Sequence, residues 1–252
     1  MTAADPVTIE ICVESIPGIR AAIAGGATRI ELCAALEVGG LTPSIGLMES
    51  AHALAQAADI PVFAMVRPRP GDFDYDADDL ALAIRDARAL VDAGADGLVF
   101  GTCAGGRVAG EPARAWIDAV RSAYGALSCT FHRAIDLTDD PVAAAQVVAD
   151  LGFDRILTSG GAKVAEQGAA TIAAMVTRVG DRLSVMAGSG VSPQTIPKLA
   201  AAGIREFHAS ASRDAGPLDA RVAALGFATA SRRMTDADLV AALRAAANAT
   251  SS

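Results

Sequence analysis

One local pattern recurs four times along this chain: a helical stretch ends at a glycine, and an apolar strand begins within a few residues. It occurs at Gly26-Ala-Thr-Arg-Ile-Glu31, Gly94-Ala-Asp-Gly-Leu-Val99, Gly152-Phe-Asp-Arg-Ile-Leu157 and Gly203-Ile-Arg-Glu-Phe-His208. Glycine suits the left-handed C-cap of a helix, and an apolar run directly behind it suits a buried parallel strand. Further apolar runs lie between these, at Ile60–Val66, Leu127–His132 and Leu183–Gly188, and Val7–Val13 opens the series, giving eight strands. The intervening segments carry helical periodicity, clearest in Asp76–Ala93, Pro112–Tyr124, Pro141–Leu151 and Glu166–Val179. Eight β-α units in 252 residues predict an α/β fold of the (β/α)8, or TIM, barrel type rather than a doubly wound sheet. The barrel is expected over about residues 7–211 of a single domain spanning 1–252, with a less regular closing segment from 212 and a final helix at Asp236–Ala247.

Composition narrows the function classes. A hydrophobic content of 52% supports a large core, while a net charge of −8 and only 4% aromatic residues provide neither a phosphate-backbone footprint nor a base-stacking platform, so nucleic acid is not an expected partner. No stretch reaches membrane-spanning length without a charge or glycine cluster, and Met1 to Pro6 lacks a basic segment followed by an apolar run. The expected location is therefore cytoplasmic. Cys12, Cys33, Cys103 and Cys129 form no C-x-x-C pair, which fits reduced thiols, most simply read as small buried hydrophobes.

Side chains on a strand alternate faces, and the outward face of a barrel must meet helices, so alternating polar residues belong to the lumen. Glu10-Ile-Cys12 and Glu31-Leu-Cys33 each place a carboxylate and a thiol on that face of neighbouring strands, joined by an Ile16–Gly26 helix. The same rule sends Arg67, Thr130, His132, Glu206, His208 and Ser210 inward, and Phe131, Val185, Ala187 and Phe207 outward. The sixth strand, at Arg155, is too apolar on both faces to assign.

Active sites of such barrels form at the C-terminal strand ends. There, Gly188-Ser189-Gly190 and Ser159-Gly160 have the small residues that let backbone N–H groups approach an anion, and Arg67 and Arg69 would add charge for a small anionic or phosphorylated ligand. The structural alternative has both arginines neutralising Glu10 and Glu31, and the glycines serving tight loops. His132 and His208 are candidates for acid and base, since imidazole is easily tuned to neutral pH. Cys12 and Cys33 offer soft ligands suited to Cu(I), with Glu10 and Glu31 in support. No nucleotide cofactor is expected.

At these residues the chain resembles the CutC family of copper homeostasis proteins. The matching motifs are Glu10-Ile-Cys-Val-Glu-Ser15, Arg29-Ile-Glu-Leu-Cys33, Gly39-Gly-Leu-Thr-Pro-Ser44, Arg67-Pro-Arg-Pro-Gly-Asp-Phe73, Gly97-Leu-Val-Phe-Gly101, Thr130-Phe-His-Arg-Ala-Ile-Asp136, Arg155-Ile-Leu-Thr-Ser-Gly-Gly161, Ala187-Gly-Ser-Gly-Val191 and Glu206-Phe-His208. The resemblance implies a cytoplasmic, homo-oligomeric barrel that binds Cu(I), with Cys12 and Cys33 as the matching thiols. The loop Thr102–Gly110 departs from the longer acidic pattern expected there. Three readings stay open: a copper binder, an isomerase- or lyase-type enzyme acting on a small anion, and a noncatalytic sensor of the same ligand.

Overall fold

The computed structural model of the chain describes residues 7–228 and 231–250; Met1 to Pro6 and the last residues of the expected 1–252 domain lie outside them. In chain order the elements are β1 (Thr8–Val13), α1 (Ile16–Ala24), β2 (Arg29–Leu32), α2 (Ile45–Gln56), β3 (Val62–Met65), α3 (Ala77–Asp92), β4 (Gly97–Phe100), β5 (Cys103–Ala104), β6 (Arg107–Val108), α4 (Gly110–Tyr124), β7 (Ser128–Phe131), α5 (Pro141–Leu151), β8 (Arg155–Thr158), α6 (Ala169–Val179), β9 (Ser184–Ala187), α7 (Ile196–Ala201), β10 (Glu206–Ala209), β11 (Ser212–Pro217), α8 (Ala220–Ala224), β12 (Ser231–Thr235) and α9 (Ala237–Asn248). Strands β1, β2, β3, β4, β7, β8, β9 and β10 close a parallel barrel in that order, a TIM barrel. No helix among the described residues is long and apolar enough to cross a membrane.

The helix boundaries follow local chemistry. Ser15, Ser44, Asp76, Asp140 and Asp236 each accept a backbone N–H at a helix start, a cap worth about 1 kcal/mol. At the four recurring glycines, φ is +83° (Gly26), +100° (Gly94), +89° (Gly152) and +91° (Gly203). These are left-handed values that a side chain disfavours, which is why glycine punctuates each helix-to-strand passage.

Outward side chains, among them Ile9, Ile11, Ile30, Leu32, Leu98, Phe131 and Phe207, are buried against the helices. The inward face carries charge. Glu10, Arg29, Glu31 and His132 are all at most 5% exposed. Strand β4 stays narrow to make room, since a Cβ on Gly97 would meet the Phe63 ring at 2.6 Å.

Past residue 212 the chain is more ordered than expected. β11 and β12 pair antiparallel, and α9 packs against α1. The Thr102–Gly110 loop is likewise built, as the β5/β6 hairpin.

Candidate functional site

The lumen floor is an ion-pair layer. Arg29, inward on β2, donates from Nε to Glu10 at 2.5 Å and from Nη2 to Glu206 at 2.5 Å, and Arg155 donates to Glu206 at 2.6 Å. Both guanidinium groups lie over the Phe63 ring, at 5.0 and 5.5 Å. Arg67 and Arg69 therefore do not neutralise Glu10 and Glu31; the floor pairs use Arg29 and Arg155. Arg155 also settles the phase of β8, with Arg155 and Leu157 turned inward and Ile156 outward.

Above the floor, His208 donates from Nδ1 to Glu10 Oε1 at 2.7 Å, and its Nε2 lies 3.8 Å from Glu31. Burial by itself would favour a neutral imidazole. The surrounding Glu31, Cys12 and Glu10 outweigh it and raise the His208 pKa well above the ordinary histidine value. Burial likewise opposes the Glu10 carboxylate, but Arg29 and His208 hold its pKa at about 2. Glu31 goes the other way: burial raises its carboxyl against the pull of His208, and its Oε1 is buried with no hydrogen-bond partner among the described residues.

Cys12 Sγ, a Glu31 oxygen and a His208 nitrogen all lie within 4.8 Å of one another. Cys33 is outside this set. Its thiol donates to Glu31 Oε2 at 3.4 Å and packs with Phe63, Met65 and Val99; burial and the Glu31 charge push its pKa well above the ordinary thiol value. The expected two-thiol pair thus resolves into one thiol beside an imidazole and one packed thiol. Of the two supporting carboxylates, Glu31 joins the donor set, while Glu10 orients the imidazole from behind.

Across the lumen, His132 follows directly on β7. Its Nδ1 accepts from the Ala134 N–H at 3.2 Å, so the ring proton resides on Nε2, which is buried without a partner. Phe73 meets the ring edge-on at 4.9 Å, and Gly101 leaves the space beside Nδ1 that a Cβ would fill. Burial, aided by the Arg67 and Arg133 charges, lowers the His132 pKa to about 3. The ring is thus a neutral N–H donor at ordinary pH. As one member of a neutral-pH acid-base pair, the role expected for it, it is ill suited.

The anion-binding residues divide. Arg69 lies away from the cavity and is engaged by Asp72 at 2.9 Å and Asp79 at 2.7 Å. The Ser159–Gly160 turn is already filled: the Asp136 carboxylate accepts from Thr158 Oγ1 (2.6 Å), Ser159 N (3.0 Å), Ser159 Oγ (2.8 Å), Gly161 N (3.1 Å) and Arg133 Nε (2.8 Å). The Gly160 amide donates to Thr158 Oγ1, and the Gly188 amide is spent on Thr158 O. Ser189 and Gly190 line the cavity, with Ser189 Oγ donating to Lys163 O at 2.9 Å. Arg67 lines it too, held by the carbonyls of Val38, Gly40 and Gly71.

Cys12, Glu31, Arg67, His132, Arg133 and His208 thus border one cavity of about 700 Å³ at the C-terminal mouth of the barrel. Sequence reasoning missed Asp136 as the occupant of the Thr158–Gly161 turn. A carboxylate three residues beyond an arginine, facing a Thr-Ser-Gly-Gly turn, was the available signal. It also missed Arg29, although strand alternation puts that residue on the Glu31 face.

The CutC family model matches residues 7–213. A family protein CutC of Rhizobium meliloti strain 1021 is 44% identical over 244 residues, covering 95% of each chain. One from Caulobacter vibrioides strain NA1000 / CB15N is 42% identical over 247 residues, 95% of this chain and 98% of that one. A solved structure from Streptococcus agalactiae, provisionally named copper homeostasis protein CutC, superposes with a TM-score of 0.75 at 27% identity, covering 81% of this chain and 98% of that one. Thiamine phosphate pyrophosphorylase from Pyrococcus furiosus, with a TM-score of 0.61 at 14% identity over 97% of this chain and 96% of that one, shares the fold alone.

Proposed function

Because this chain belongs to the CutC family, we propose that it serves copper homeostasis by taking a copper ion at the barrel mouth through Cys12, His208 and Glu31. The observation behind this reading is the Glu10–His208 hydrogen bond of 2.7 Å. A carboxylate on Nδ1 fixes the imidazole so that Nε2 faces the other donors, the arrangement in which outer-shell carboxylates orient metal-binding histidines. One thiol and one imidazole suit copper, and the carboxylates supply the negative charge that a cation neutralises. With no cation, the His208 ring takes up that role by holding a proton.

Titration of Cu(I) against a competing chelator under reducing conditions tests the proposal. Cys12→Ser is expected to weaken binding strongly, Glu10→Gln by about 10–100-fold through loss of orientation, and Cys33→Ser only slightly. Equal affinity in wild type and Cys12→Ser overturns this site.

A second reading is favoured by the cavity itself. About 700 Å³ is far more than a single ion needs and falls within the range of small-molecule sites. In this reading the protein is an isomerase- or lyase-type enzyme for a small anion, with His208 and Glu31 moving protons and His132 donating a hydrogen bond as a neutral group. Schiff-base chemistry has little support, because the chain's lysines are Lys163 and Lys198, and neither lies on a barrel strand.

A further inference from the structure

The mouth is electrically lopsided. Glu10 on β1, Glu31 on β2 and His208 on β10 occupy three adjacent strands, while β7, which presents His132, stands four places from β1 in the closed order and thus across the lumen. Arg67, just past the end of β3, borders the same cavity.

Arg67 is 4% exposed, yet among the described residues no carboxylate lies within ion-pair distance of it. Its Nη groups donate only to carbonyls, and its Nε is buried without a partner. The guanidinium groups of the lumen floor are neutralised: buried Arg29 by Glu10 and Glu206, partly buried Arg155 by Glu206. Arg133, at the rim, is matched by Asp136. A buried charge without a counter-charge is costly, and so is a buried N–H without an acceptor. The two unmet needs, Arg67 and His132 Nε2–H, fall together: both side chains contact the Phe73 ring, Arg67 at 4.8 Å from its centre and His132 at 4.9 Å.

We propose that Arg67 and the uncharged imidazole of His132 form a carboxylate subsite for a small hydroxycarboxylate, whose hydroxyl is accepted by the unpartnered Oε1 of Glu31. Arg67 supplies the counter-charge. His132 supplies a directed N–H, its ring held by the Ala134 amide at Nδ1 and packed against Phe73. A carboxylate suits the pair because it can take one N–H together with the counter-charge of one guanidinium, and the Thr158–Gly161 turn, one of the two that could cradle a phosphate, already holds Asp136. Glu31 marks the far end, since a buried acceptor calls for a donor hydroxyl on the same molecule. The inference deepens the small-anion reading and rests on it for the nature of the ligand; it shares Glu31 with the copper site, which is why the test uses metal-free protein.

Calorimetric titration of metal-free protein with glycolate, lactate, malate and citrate, and separately with inorganic phosphate, provides the test. At least one hydroxycarboxylate is expected to bind wild type more tightly than phosphate. His132→Phe, which keeps a ring against Phe73 but removes the donor, should weaken it about tenfold or more, and His132→Gln, which restores an N–H, should recover part of the loss. Should the Phe variant not fold, ¹⁵N-histidine NMR on wild type decides, as only three imidazoles contribute. The Nε2–H resonance of His132 should move as the carboxylate binds. Carboxylate binding that leaves this resonance unmoved, or tighter binding of phosphate, overturns the subsite while sparing the small-anion reading. Failure of every carboxylate and of phosphate to bind overturns both.

Discussion

Two histidines stand at the barrel mouth, His132 directly after β7 and His208 within β10, yet they hold opposite charge states. His208 sits among Glu10, Glu31 and Cys12 and holds its proton well above the ordinary pKa. His132 faces Arg67 and Arg133 and loses its proton down to about pH 3. Burial works against the charged form in both, so burial does not separate them. The neighbours' charges do. The mouth is thus polarised, with Glu10 and Glu31 around one imidazole and Arg67 and Arg133 around the other.

The largest expected effect comes from removing the charge that defines the His208 wall. Glu10→Gln removes one of the two counter-charges of Arg29, which keeps Glu206, and the hydrogen-bonded carboxylate of His208, and breaking a buried pair from one side costs up to about 3–5 kcal/mol. Urea unfolding at pH 7 measures it. A loss under 1 kcal/mol would mean that the floor network relaxes and the two walls are less different than they look.

On the His132 wall, Asp136→Asn is expected to cost about 1–3 kcal/mol, since Arg133 loses its counter-charge and one of the donors now meeting the carboxylate is left facing the amide. The same variant should broaden the His132 ring signals, because the 3-10 turn that follows His132, Arg133–Leu137, is tied down through Asp136. Unchanged signals would mean that Phe73 and Ala134 suffice to hold the ring.

The pH dependence sharpens the comparison most. The folded pKa of His132, about 3, lies below its ordinary value of 6.5, so between these the unfolded chain binds more protons. Its contribution to stability is therefore complete above pH 6.5 and declines as the pH falls towards 3. His208 has the opposite sign. Its raised pKa contributes stability that is complete below 6.5 and is lost as the pH rises through the folded value. Unfolding free energies across pH 5 to 9 should slope down on both sides; His132→Phe should flatten the acid limb alone and His208→Gln the alkaline limb alone. Flattening of the same limb by both would erase the distinction.

Much of this was readable from one-dimensional pattern. Period-two alternation put Glu10, Cys12, Glu31, Cys33, Arg67, His132 and His208 on the inner face, where the structure also has them. Pairing was less legible. Arg67 and Arg69 stand close together in sequence and look alike, but Arg69 turns to Asp72 and to Asp79 at the start of α3 while Arg67 turns inward. The Ser159–Gly160 turn looks open to any anion, and only the return of the chain shows that Asp136 fills it.

By itself the sequence determined the eight barrel strands, the four glycine-capped helix ends and the face on which most of the polar strand residues fall, β8 excepted, because these depend on backbone conformation and local periodicity. Only the tertiary structure decided which acid meets which base, which thiol stands beside an imidazole, and which histidine is charged. Those depend on the stagger of neighbouring strands and on distances across the lumen, and electrostatic energy in a buried layer changes steeply over a few ångströms that local pattern does not encode.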